Sequence, residues 1–264
     1  MNPATIRLFQ RAVHLWLLGY LLSALPAAEW LWEHPVGRSL PVPGPSGLLV
    51  NAFGTWLPGE AAVLAVILLM AFAVYGLWRE QPVWMAFLTW MLFASLVQRA
   101  WLASCGGLLL MDNVLLWMVL LRSAPSARLA EGAGQLAFHA IRVQLAFTYL
   151  VTGLHKLGGT SWTGGTAVGI VASDPQFGPA FLAHVPWLSA AITWALLAFQ
   201  FIFPVAVWFR ATRLPLLAFG VLFHLGTALW MGIPEMGFAF IACYAVFLNE
   251  DEARMTMRPR WSSR

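Results

Sequence analysis

Long apolar runs separated by short polar interruptions dominate the chain. Six of them, at 8–26, 61–78, 83–104, 136–157, 187–209 and 214–233, come close to the roughly 20 residues that a helix needs to cross a bilayer core. Two weaker runs complete the pattern: 106–121, which contains Asp112 and Asn113, and the short 237–249. The pattern predicts an all-α integral membrane protein, a polytopic bundle of about eight transmembrane helices forming a single domain over residues 1–264. Seven spans result if the last short run is re-entrant or fused to the helix before it.

The connections differ in length. Residues 27–60 include PVPGPSG at 41–47, a turn-rich stretch that a regular helix does not accommodate. Residues 158–186 open with Gly and Thr, predict a short apolar helix near 165–172, and are broken by Asp174-Pro175. This second long loop lies along the interface or dips into the outer half of the membrane. Connections 79–82 and 210–213 are very short. Both long loops fall on one face, read as the outer one, and function is expected there.

Composition strengthens the class. The chain is 60% hydrophobic and 10% charged, with a mean hydropathy of +0.74, whereas soluble domains carry about a quarter charged residues. Fifteen Trp and eighteen Phe suit a lipid-facing surface with interfacial belts. The N-terminal run follows Arg7 and Arg11 but ends in no clear small-x-small site, so it reads as a first anchor rather than a cleaved signal.

Charge then orients the spans. With the N-terminus in the cytoplasm, the inner ends hold Arg7, Arg11, Arg79, Arg122, Arg128, Arg210, Arg213, Arg254, Arg258, Arg260 and Arg264, eleven of the fifteen Lys plus Arg. The outer side holds Arg38 with Glu29, Glu33, Glu60, Asp174 and Glu235. This asymmetry is that of the positive-inside rule. It predicts that both termini are cytoplasmic, and it fits a bacterial inner (plasma) membrane with the active side facing the periplasm or exterior. The formal charge of +4 and pI near 9.6 do not indicate nucleic acid, because the basic residues form no cluster interleaved with aromatics. Cys105 and Cys243 lie in apolar stretches and read as buried thiols rather than a disulfide framework. The six histidines form no HxxxH or HxH pair, so no metal is expected.

Three basic residues fall inside spans: Arg99, Arg142 and Lys156. A charge at helix centre costs about 2.5–3.5 kcal/mol on insertion scales and normally faces the bundle interior. Arg99 and Asp112 belong to successive spans and are expected to form a structural ion pair. The fifth span carries two polar faces, Arg142, Tyr149 and Lys156 at intervals of seven and Gln144 with His155 on another; a spacing of seven drifts only about 20° per step. Two such faces suit a helix bordering a cavity. His224 is a lone polar residue in the seventh span, where an interhelical hydrogen bond is the plain reading. Lys156 is the only lysine in the chain. Arginine holds its proton, whereas a desolvated lysine can serve as a general base near neutral pH; a snorkelling anchor at the helix end is the competing reading.

Tyr149-x-x-x-Gly153-x-x-Lys156-Leu157, followed by Trp162-x-x-Gly165-x-Ala167, resembles the core of the vitamin K-dependent gamma-carboxylase and its bacterial relatives, which share the horizontally transferred transmembrane (HTTM) domain. Arg11 and His14, the Gly-rich turn before Asp112, and Phe223-His224 followed by a Met-Gly turn are in keeping with it. In that family the motif lysine is the base that deprotonates vitamin K hydroquinone. Oxygen then converts the quinol to an epoxide through a strongly basic species that removes a γ-proton from glutamate, and carbon dioxide adds. The resemblance therefore implies Lys156 as catalytic base. It implies a substrate or cofactor pocket involving Tyr149, Gly153, His155, Trp162, Gly165, His224 and Arg142, and a quinol cofactor (vitamin K hydroquinone or menaquinol-like) with O2 and CO2. The chain departs from the carboxylase in having His155 where a second lysine is expected, Gln200 where many relatives carry an acid, and a short charged tail where the carboxylase has a soluble domain. Those departures favour quinol chemistry on another substrate, or with a partner supplying the substrate site. The alternative from the same family is a maturation factor of the sporulation-delaying-protein B type, acting on a secreted peptide with a small partner protein. A transporter and a non-catalytic scaffold rank below both. Membrane lipid is the expected environment in every case.

Overall fold

The computed structural model describes residues 3–33, 61–122 and 127–257, and among the described residues there are helices and turns but no strand. PVPGPSG at 41–47, with Arg38, Glu60, Arg258, Arg260 and Arg264, lies outside the described residues. In chain order the helices are α1 (Pro3–Ala24), α2 (Ala62–Trp78), α3 (Val83–Arg99), α4 (Gly106–Met118), α5 (Arg128–Leu157), α6 (Thr160–Thr163), α7 (Ala167–Ala172), α8 (Pro186–Ala206), α9 (Arg210–Leu229), α10 (Pro234–Tyr244) and α11 (Glu250–Met257). Each apolar run of the sequence is occupied by a helix, and the short helix expected near 165–172 is α7.

Among the described residues, three helices are long and apolar enough to cross a membrane: Pro3–Ala27 counted with its last turn, α8 and α9. The helices α2, α3, α4 and Pro234–Phe247 are apolar but shorter. Seventeen residues of α2 or α3 give about 25 Å of helix, somewhat below the hydrocarbon thickness of about 30 Å. At 30 residues, α5 is long enough. It carries Arg128, Glu131, Arg142 and Lys156 and stands outside the apolar three. These helices mark a membrane protein.

The described chain divides into two compact units, one holding the residues up to Ala140 with those from Leu248 on, the other Ile141–Phe247. In the first, α1 buries Ile6, Phe9, Val13, Leu17 and Leu21 at the three- and four-residue steps of one helical face. It packs on α2, whose buried face includes Ala62, Ala65, Ala73 and Gly76. Small residues let helix backbones approach closely where no water drives them together. A Cβ at Gly76 would lie 2.3 Å from Cδ2 of the His14 ring, so this glycine makes the seat for a buried imidazole. His14 Nδ1 lies 2.6 Å from the Gln10 carbonyl, and Gln10 Nε2 donates to the Leu121 carbonyl at 3.2 Å. At the α2–α3 turn, Gln81 Nε2 donates to the Phe72 carbonyl at 2.8 Å and its Oε1 accepts from Thr89 at 3.3 Å.

The expected Arg99–Asp112 ion pair is not formed. Arg99, in the last turn of α3, donates from Nε to the Trp32 carbonyl at 2.6 Å and also reaches the Glu33 carbonyl at 3.4 Å. Asp112 is hydrogen-bonded to the Trp90 side chain instead. Proximity in the sequence placed the two charges near one turn. The carbonyls that end the Glu29–Glu33 π-helix offered the guanidinium a nearer set of acceptors. Cys105 is half-buried and Cys243 buried, and they form no disulfide.

Candidate functional site

The second unit builds its interior from α5, α8, α9 and α10. The heptad stripe of α5 faces aromatic groups of this unit at three depths. Arg142 lays its guanidinium 4.6 Å from the Trp208 ring centroid and 5.2 Å from that of Phe247. One turn-pair along, the Tyr149 ring packs at 4.5 Å from Phe203 and 5.2 Å from Phe199. At the far end, Lys156 Nζ stands 4.4 Å over the Trp162 ring and 6.0 Å from that of Phe223.

The middle level is a buried hydrogen-bonded chain. The Tyr149 hydroxyl lies 2.6 Å from His224 Nε2 and 2.5 Å from the Tyr244 hydroxyl. A hydroxyl carries one proton, so Tyr149 donates to one neighbour and accepts from the other. The imidazole stacks on Phe240 with centroids 4.4 Å apart and planes 10° from parallel. Gly220 makes room for the third member, since a Cβ there would meet the Tyr244 hydroxyl at 2.1 Å. The sequence reading assigned Tyr149 and His224 to a pocket and did not single out Tyr244. Its one available signal was that Tyr244 is one of only four tyrosines in the chain.

The upper level is a cavity of about 500 Å³, within the usual range of small-molecule sites. Its wall comes from Trp162, α7, the Phe177–Leu182 turn, Ile192 and Leu196 of α8, and Phe219, Leu222, Phe223 and Thr227 of α9. Among the described residues that line it, Lys156 is the one charged side chain. The segment 158–185 is held in place as a wall by bonds to α8. Val168 N–H donates to Thr193 Oγ1 at 3.1 Å, Trp194 Nε1 donates to the Thr163 carbonyl at 3.3 Å, and Ser189 Oγ donates to the Leu182 carbonyl. The segment turns at Gly165, whose φ of +73° is one that glycine adopts without steric cost. A Cβ there would also lie 2.9 Å from Trp194.

The residue implied as catalytic base, Lys156, lines this cavity, and of those implied for the pocket so does Trp162. Tyr149 and His224 lie behind its wall in the hydrogen-bonded chain. Gly153 packs against Gln200 and Phe201, which a Cβ would approach to 3.2 Å. His155 points to the exposed side of α5, as expected for the neighbour of an inward lysine on a 100° step. Arg142 is fourteen residues before Lys156, about 21 Å along the helix, and contributes to the opposite end of the unit. Heptad spacing correctly gives the shared face but not the depth at which a cavity opens.

No curated protein and no solved structure matches the chain. Residues 127–251, a little under half of the chain and all of the second unit, match the family model for the HTTM domain.

Proposed function

We propose that this protein is a membrane enzyme related to the vitamin K-dependent gamma-carboxylase. In this reading Lys156 acts as a base on a quinol or similar lipid-soluble cofactor, driving oxidation or carboxylation of a substrate on the outer side. The observation that carries it is the union of one amine with an apolar cavity at the end of α5. That donor set suits an isoprenoid quinol. Ile192, Leu196, Phe219 and Leu222 would hold the ring and tail by apolar contact, and Lys156 Nζ would meet the one polar function. When bound, the quinol would supply the reducing equivalents that oxygen consumes.

The chain's own contribution is binding, orientation and exclusion of water. The Thr193, Trp194 and Ser189 bonds fix the outer segment against α8, so the wall is preorganised. Trp162 fixes the height of Nζ. Proton transfer would take place at Nζ, in a setting where bulk water does not compete for the proton. Around this site the reading places eight membrane crossings with both termini cytoplasmic, α1 to α5 and α8 to α10 serving as the crossings. The cavity then opens toward the outer leaflet of a bacterial inner membrane, and a peptide or protein substrate, with or without a small partner, would approach from the outer side.

The test compares wild type with Lys156→Ala, both purified in detergent, for bound quinone and for quinol oxidation under oxygen. Wild type is expected to carry or oxidise quinone while the folded variant does neither. If the two behave alike, or neither ever holds a quinone, Lys156 is an anchor and the enzymatic reading fails.

A further inference from the structure

Among the described residues, no charge compensates that of Lys156. Its ammonium has there no carboxylate within ion-pair distance and no hydrogen-bond acceptor; it faces the rings of Trp162 and Phe223. A charge withdrawn into an apolar setting is normally paired, because desolvation without a partner is costly. Lys156 is half-buried; ring faces offset part of that cost by cation–π attraction, on the order of 0.5–2 kcal/mol, and accept none of the conventional hydrogen bonds that three N–H groups can donate. The chain uses arginine at every other basic position, so a compact ammonium was placed at this one wall.

Beside the ammonium lies about 500 Å³ of cavity walled by aliphatic and aromatic side chains such as Val171, Ile192, Leu196, Phe219 and Leu222. One positive point at the edge of an apolar chamber is complementary to an amphiphile with one negative head and one hydrocarbon tail. We infer that this cavity binds a long-chain carboxylate, whose head group supplies the counter-charge to Lys156 while its chain fills the apolar wall. A single cation matches a single anionic head, and a chamber of this size suits one chain better than the two of a phospholipid. A phosphate-headed lipid shares the negative charge, and the experiment separates the two sources. The inference does not depend on quinol chemistry: it concerns the ammonium form as an anchor, whereas the enzymatic reading concerns the amine as a base.

Full-length protein in nanodiscs of zwitterionic lipid would be titrated with radiolabelled oleate, with oleyl alcohol of the same chain length, and with phosphatidylglycerol as competitor. Oleate is expected to bind saturably and at least about tenfold more tightly than the alcohol, since bonds to charged groups are the stronger class. Phosphatidylglycerol should fail to displace it. Lys156→Gln should lose about tenfold or more in oleate affinity, and Lys156→Arg should retain binding because it keeps the cation. Equal affinity for acid and alcohol, displacement by phosphatidylglycerol, or undiminished binding to folded Lys156→Gln overturns the inference. Lys156→Arg also separates the two ideas, because arginine can anchor a carboxylate but cannot act as the base. Oleate binding without any quinol oxidation would sink the enzymatic reading alone, and quinol oxidation without oleate binding would sink this one alone.

Discussion

At the scale of the residue, the densest chemistry outside the cavity is the Tyr149 hydroxyl, which lies between His224 and Tyr244. Tyr149→Phe keeps the ring that packs on Phe199 and Phe203 and removes only the oxygen. Both neighbours then lose a partner in a dry interior. Single interhelical hydrogen bonds in membrane bundles average about 0.6 kcal/mol and reach about 1.7, so loss of two should cost roughly 1–2 kcal/mol of stability. Unfolding in mixed micelles measures this, and a change below about 0.3 kcal/mol would show the chain to be idle. Oleate affinity should stay unchanged, since Tyr149 does not line the cavity. The sequence placed Tyr149 and Lys156 on one face of α5 because a spacing of seven is a property of the helix alone. It could not place Tyr244, which meets Tyr149 across 95 residues, nor foresee that Arg99 would prefer backbone carbonyls to Asp112. Both outcomes depend on tertiary geometry that no local pattern encodes.

At the scale of the element, helix pairing rests on where side chains are missing as much as on where they are present. Gly76 lets α2 close over His14 of α1, and a Cβ there would come within 2.3 Å of the ring. Gly76→Ala should therefore push the imidazole from its seat and destabilise the first unit by about 1–3 kcal/mol, the usual range for overpacking. The double variant with His14→Ala should recover most of that loss, because the clash needs both partners. Additive losses, read from thermal unfolding of the four proteins of the cycle, would show that the glycine matters for some other reason. The helices themselves were legible: hydropathy located every one that occupies an apolar run, since solvation by lipid acts on residues one at a time. Their ends were less so. The run 83–104 predicted a helix to its last residue, but α3 stops at Arg99. From there the chain passes through a short 3-10 turn at Trp101–Ala103 into the glycines that open α4. Apolar character continues across that turn, so hydropathy alone does not register the break.

At the scale of the whole molecule, membrane topology is carried by the distribution of arginine. Under the proposed eight crossings, eleven of the fifteen basic residues of the sequence fall on one side, and attraction of such flanks to the inner side sets orientation over short loops. The shorter helices α2, α3, α4 and α10 can still cross, because local thinning of the bilayer and snorkelling of flanking residues cost only fractions of a kcal/mol per Å of mismatch. Eight crossings then put the two termini on the same side and the segment 158–185 on the other. Reporter fusions decide it. Green fluorescent protein after Met257 should fluoresce, and alkaline phosphatase inserted near Asp174 should be active, each reporter working on one side of the membrane only. If the phosphatase is silent there and active at the C-terminus, the orientation is inverted and the cavity faces the cytoplasm. Activity of either reporter at both sites would mean that the arginines do not fix a single topology. The cavity's position makes this more than a question of bookkeeping. Lys156 lies in the last turn of α5 and the chain turns there into the segment 158–185, so the side on which that turn lies decides which aqueous compartment can exchange protons with Nζ and which leaflet can deliver an amphiphile to it.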